Sequence, residues 1–114
     1  MSECLYCKMV NGDIQPDVVY EDDDGLAFRD VNPQAPLHVL VIPKKHIATI
    51  TDLEPGDAEL TGRLFLAARR IAEQEGLDAR GYRTVMNCNA EAGQSVYHLH
   101  LHVLAGRPMN WPPG

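Results

Sequence analysis

Residues 97–104 read Tyr-His-Leu-His-Leu-His-Val-Leu. Strict alternation of apolar residues over such a run is the pattern of an extended strand, whose successive side chains point to opposite faces. His98, His100 and His102 therefore share one face, spaced about 6.5–7 Å apart along it. Leu99, Leu101 and Val103 share the other. A chain with this run must supply a core for one face and partners for ring nitrogens on the other, because a buried polar atom without a partner is costly. Three of the chain's five histidines fall within five residues, which points to a site for phosphate, nucleophilic or metal chemistry.

The other segments suggest what this strand packs against. Residues 4–11 suit a short helix, with Gly12 as its stop. Residues 17–21 and 26–30 read as the strands of a hairpin around Asp22-Asp23-Asp24-Gly25. Pro33 and Pro36 break the second strand, since proline donates no ladder hydrogen bond. Residues 37–42 form an apolar strand interrupted by His38 and closed by Pro43. Residues 53–75 hold one long helix: Leu60, Leu64, Ala67, Ala68 and Ile71 recur at intervals of three and four. Asp57 and Glu59 suit its start and Gly76 its C-terminal cap. Residues 82–88 read as a strand joined to the histidine strand by a loop too short for a helical crossover, so the two should be antiparallel. The expected fold class is α+β, an antiparallel sheet of about five strands with the long helix on one face and the histidines presented on the other.

Length and charge narrow the function. At 114 residues the chain is expected to be one domain, 1–114, with a proline-containing tail at 106–114. A net charge of −6 makes a nucleic-acid backbone an unsuitable partner. No apolar run approaches the length of a membrane span. The start, Met1-Ser2-Glu3-Cys4, lacks the basic and apolar regions of a signal peptide, so a cytoplasmic location is expected. Of the three cysteines, Cys4 and Cys7 form a Cys-x-x-Cys pair. In a reducing compartment that spacing suits metal or redox chemistry better than a structural disulfide, and the lack of a preceding strand argues against a thioredoxin-like role. Cys88 reads as a small core or interface residue, and His38 as a core histidine with one backbone partner.

Taken together, His98-Leu99-His100-Leu101-His102-Val103-Leu104 resembles the signature of the histidine triad family. Residues 28–36 and 41–46, Gly93-Gln94-Ser95-Val96-Tyr97-His98, and the ending Gly106-Arg107 through Trp111-Pro112-Pro113-Gly114 resemble its nucleotide-binding Hint branch. The resemblance covers nearly the whole chain. It implies a homodimer with a sheet continuous across the two-fold axis and the tail near the partner's pocket. It also implies hydrolysis of purine nucleoside phosphoramidates, with His100 as nucleophile and a nucleotidyl-histidine intermediate. His102 would contact the phosphoryl oxygens. Gly93, Gln94 and Ser95 would approach the phosphate, Ser95 also passing a proton to the leaving amine. Asn87 would contact the phosphate or position Ser95. Asp30 suits the two ribose hydroxyls; Leu5, Phe28 and Val31 would sandwich a purine, and Trp111 in the tail is a further substrate-binding candidate.

Some bacterial members, and the related galactose-1-phosphate uridylyltransferases, bind structural zinc through four ligands that correspond here to Cys4, Cys7, His46 and His98. No organic cofactor is implied. Two departures stand out: Asn87-Cys88-Asn89 replaces the commoner Asn-Glu-Gly, and Pro108 and Asn110 replace the usual tail residues, which leaves the leaving group open. Alternatives are dinucleoside polyphosphate hydrolysis or nucleotidyl transfer by the same nucleophile, a metallohydrolase with zinc on all three strand histidines, and a non-catalytic nucleotide-binding interaction module.

Overall fold

A computed structural model describes residues 4–114. Met1, Ser2 and Glu3, which entered the reading of the N-terminus, lie outside the described residues. Helix α1 (Leu5–Val10) is followed by strands β1 (Val18–Glu21), β2 (Gly25–Arg29) and β3 (Leu37–Pro43), the long helix α2 (Ala58–Gln74), and strands β4 (Tyr82–Val85) and β5 (Leu101–Ala105). The five strands form one sheet in the order β1-β2-β3-β5-β4, and every neighbouring pair is antiparallel. No described helix is long and apolar enough to cross a membrane.

Strand periodicity divides the core in two. Ala27 of β2, Leu37, Val39 and Val41 of β3, and Leu101, Val103 and Ala105 of β5 pack with Leu64, Ala67, Ala68 and Ile71 of α2. On the opposite face, Leu26, Phe28, Leu40 and Ile42 pack with Tyr6 of α1. All seven residues of β3 are buried, because helices cover both of its faces. The histidines lie on the face away from α2, as expected, and α1 covers that face, so that His98 and His100 are buried.

Helix α2 begins at Ala58 rather than at residue 53. Pro55 disfavours helical geometry at the residue before it, and the chain makes two single 3-10 turns, Ile50–Asp52 and Pro55–Asp57, before the helix forms. Asp57 secures that start: its Oδ2 accepts from the Glu54 N–H at 2.9 Å and its Oδ1 from Lys45 Nζ at 2.7 Å. The helix ends as its sequence implies. Gly76 takes φ +72°, its N–H donates to the Glu73 carbonyl, and the Leu77 N–H reaches back to the Ala72 carbonyl at 2.9 Å, a Schellman closure.

The last two strands are shorter than the alternation suggests. β4 stops at Val85, opposite His102, and residues 86–100 leave the ladder to build a loop. Residues 97–100 stay outside the assigned strand, although Leu99 joins the α2 side of the core while His98 and His100 lie on the other side. The alternation of faces thus outlasts the sheet hydrogen bonds.

Candidate active site and metal centre

A cleft of about 480 Å³ opens along the histidine face. α1 contributes Leu5, Tyr6 and Met9, and β2 with the turn after it contributes Phe28, Asp30 and Val31. The loop before β5 contributes Asn87, Gly93 and Ser95, and the histidine segment contributes His100 and His102. Most sequence-derived binding residues therefore converge on one cavity. A wider groove of about 600 Å³ on the outer side of α2 contains no histidine, and its arginines face Asp22 and Glu73.

The ring nitrogens at the cleft are ordered by backbone groups. His98 Nε2–H donates to the Pro43 carbonyl at 2.8 Å. His100 Nδ1–H donates to the His98 carbonyl at 2.8 Å. A carbonyl only accepts, so His100 carries its proton on Nδ1 and keeps the lone pair on Nε2. His38, whose sequence suggested no job, anchors the other end. Its Nδ1 accepts from the Gln34 N–H at 3.0 Å, which leaves Nε2 as its donor. That Nε2–H meets His102 Nδ1 at 2.9 Å and lies 3.4 Å from Asp30 Oδ2. His102 must accept on Nδ1, so its own proton is on Nε2. One imidazole thus offers a lone pair and its neighbour a hydrogen-bond donor.

Electrostatics keep the donor neutral. Burial, then the neighbouring His100 and His38 rings, push the His102 pKa down to about 4, against a smaller upward pull from Asp30. His38 is lowered too, again chiefly by burial. Unfolded, both rings return to about 6.5. Between those values the unfolded chain binds the extra protons, so stability present above about pH 6.5 is lost as pH falls towards about 4. The urea midpoint should decline over that window, and less steeply in a His102→Gln chain. An equal decline in both chains removes His102 as a cause.

Two expected roles change, those of Gln94 and Cys88. Gln94 is buried and committed to the loop: its Oε1 accepts from the Asn89 N–H at 2.8 Å, and its Nε2 donates to the Ala48 and Val96 carbonyls. Its side chain shapes the loop and is not free to meet a phosphate. Trp111 is 81 % exposed and sits beside Arg83 of β4, outside the cleft of its own chain. Cys88 is not core; it is half-buried with Sγ 3.4 Å from Thr51 Oγ1. At Gly93 an added Cβ would meet nothing within 4 Å, so the demand there is its φ of +87°. Asp30 is set by its turn, Oδ1 accepting from the Asn32 N–H at 2.9 Å.

Cys4, Cys7, His46 and His98 form a second cluster beneath the N-terminal helix. Cys4 Sγ lies 3.3 Å and Cys7 Sγ 3.5 Å from His98 Nδ1, and His46 Nδ1 is 3.2 Å from both Cys7 Sγ and His98 Nδ1. A tetrahedral zinc site with ordinary Zn–S and Zn–N bonds needs ligand separations on the order of 3.3–3.8 Å. The donor set and spacing fit such a closed site. The bond from His98 Nε2–H to Pro43 fixes the tautomer that offers Nδ1, the usual outer-shell arrangement for a metal-bound imidazole. The three strand histidines, by contrast, do not converge on one point. Nδ1 faces the cysteines in His98, a carbonyl in His100 and His38 in His102, which removes the geometry required of a three-histidine metallohydrolase.

A five-stranded antiparallel sheet that carries alternating histidines into a cleft, with a Cys-x-x-Cys helix laid over them, defines a histidine-triad type of α+β domain. The chain belongs to the HIT domain family, which matches residues 11–109. It is 46% identical over 107 residues to the purine nucleoside phosphoramidase of Escherichia coli strain K12, covering 94% of this chain and 90% of that one. It is 52% identical over 115 residues to an uncharacterized HIT-like protein of Synechococcus elongatus, covering all of both. The crystal structure of a HIT family hydrolase from Legionella pneumophila superposes with a TM-score of 0.97 at 54% identity, over 98% of this chain and 100% of that one. A histidine triad protein from Clostridium difficile superposes with a TM-score of 0.93 at 41% identity, over 96% of each.

Proposed function

We propose that the chain is a nucleotide hydrolase that cleaves the P–N bond of purine nucleoside 5′-phosphoramidates. The observation that carries this reading is the hydrogen bond from His100 Nδ1–H to the His98 carbonyl, which leaves the Nε2 lone pair of a buried, neutral-tautomer imidazole available for nucleophilic attack. In the first step His100 Nε2 bonds to the α-phosphorus and the P–N bond breaks. The amine leaves with a proton, for which the exposed Ser95 hydroxyl at the cleft is the carrier in this reading. His102 Nε2–H meets the charge that builds on the phosphoryl oxygens. The positive charge formed on His100 is shared with the carbonyl that holds Nδ1–H. Water then attacks phosphorus and the bond to His100 Nε2 breaks; the water's proton replaces the one that left with the amine, the nucleoside monophosphate is released, and His100 returns to Nδ1–H with its Nε2 lone pair.

The name of the Escherichia coli relative supports the substrate class. Leu5, Phe28 and Val31 supply the apolar surface for a base, and Asp30 the acceptor for a sugar. In this proposal Cys4, Cys7, His46 and His98 hold zinc, which supplies a structural clamp. The functional unit is a homodimer: β4 is a sheet edge, and Trp111 and Asn110 lie against it through Arg83, where only a second copy would bring the tail to a cleft. The location proposed is cytoplasmic, with neither nucleic acid nor membrane as partner.

A panel of adenosine and guanosine phosphoramidates assayed beside dinucleoside polyphosphates tests this reading. Phosphoramidates should be turned over with the highest kcat/KM. Preference for dinucleoside polyphosphates would move the assignment to the alternative hydrolase, and background rates throughout would leave a binding module.

A further inference from the structure

Tyr6 lies on α1 between the two cysteines and is only 6 % exposed. Its ring meets three others edge-on, with centroids 5.4 Å from Phe28, 5.9 Å from His98 and 5.2 Å from His100. A phenylalanine would make all three contacts, so packing does not call for the hydroxyl. A buried tyrosine hydroxyl ordinarily finds a partner. Among the described residues this one has none, although its neighbours Cys4 and Cys7 do have contacts. No side-chain nitrogen or oxygen of the described residues is both sealed from solvent and unpaired. The Tyr6 hydroxyl therefore touches open volume, and the open volume beside Tyr6 is the histidine cleft. Phe28, which the Tyr6 ring meets, stands two residues before Asp30, and all three line this cleft.

We propose that the Tyr6 hydroxyl is a specificity-determining hydrogen-bond donor to the sugar of the bound nucleotide, on the Asp30 side of the cleft. This rests on the reading of the cleft as a nucleotide site. A sugar hydroxyl that gives its proton to Asp30 still has lone pairs, and these accept from Tyr6 Oη–H. The carboxylate and the phenol are thus complementary: one can only accept, and the other has an O–H to donate. A site of this kind rejects a ligand that lacks the hydroxyl, because the buried phenol is then left without a partner.

The test is calorimetric binding of adenosine 5′-monophosphate and of its 2′,3′-dideoxy analogue to the full chain and to a Tyr6→Phe chain. The expected result is a loss of about 2- to 12-fold in affinity for adenosine 5′-monophosphate, the span of one neutral hydrogen bond. The dideoxy analogue should lose nothing on the change and should bind the Tyr6→Phe chain at least as tightly as the parent, since no phenol is then left without a partner. Metal content and thermal midpoint should match the parent, since the ring contacts are kept. Equal affinity of the two chains for adenosine 5′-monophosphate would overturn the proposal while leaving the nucleotide site intact. So would an equal loss for both nucleotides, which would put the contact on the base. If the parent chain binds neither nucleotide, the nucleotide reading falls and this assignment with it.

Discussion

A His100→Ala chain should retain nucleotide affinity within a few-fold and lose turnover of nucleoside phosphoramidates by on the order of 10⁴–10⁶, the scale seen when a covalent nucleophile is removed. Affinity is expected to survive because the proposed base and sugar contacts are assigned to Leu5, Phe28, Asp30 and Val31, elsewhere on the cleft wall. Turnover does not, because no other group in the cleft offers an unprotonated ring nitrogen: His102 accepts on Nδ1 and presents its proton, and His38 is tied to Gln34 and His102. Rapid quenching of the parent enzyme followed by mass spectrometry should find a nucleotidyl group on the peptide that contains His100. Turnover retained by the alanine chain, or a label on another residue, would end the assignment.

The second large effect concerns the cysteines. A Cys4→Ser, Cys7→Ser chain should fall from one tightly held metal ion per chain to none by elemental analysis. A metal present at a thousand times its dissociation constant contributes about 4 kcal/mol of stability, which for a domain of this size is on the order of 15 °C in thermal midpoint. The loss should be local in origin. α1 has only six residues, too few to be helical in isolation, and its hold on the sheet comes from Tyr6, Met9, Val10 and the cluster. Amide exchange should therefore accelerate first across residues 5–10. A double-serine chain with the parent's midpoint and exchange pattern would show that the cluster holds no structural ion.

Much of this arrangement is legible in the sequence because it depends on periods. The alternation at 98–103 assigns faces, the stripe from Leu60 to Ile71 places α2, and Gly12 and Gly76 mark two helix ends where the backbone takes positive φ. What escapes is whatever depends on a distant backbone group. The polarity of the cleft is set by the Pro43 and His98 carbonyls and the Gln34 N–H, and no side-chain pattern announces a carbonyl's direction. His38 belongs to the site because β3 lies beside β5, 64 positions away along the chain. Its one available signal was a polar residue within an apolar strand. Gln94 looked like a phosphate donor by its place in the motif, yet the turn at Asn89, with φ +69°, takes its oxygen, and the Ala48 and Val96 carbonyls take its nitrogen.

Tyr6 stands between Cys4 and Cys7 and packs against the His100 ring, so α1 belongs at once to the cysteine–histidine cluster and to the wall of the cleft. Two ligands that both require the same docked helix are thermodynamically linked. Whatever factor the metal adds to nucleotide affinity, the nucleotide must add to metal affinity. A chain short of metal would bind nucleotide more weakly, and abundant nucleotide would help it keep its metal. The cleft would thus respond to metal supply through the occupancy of one six-residue helix.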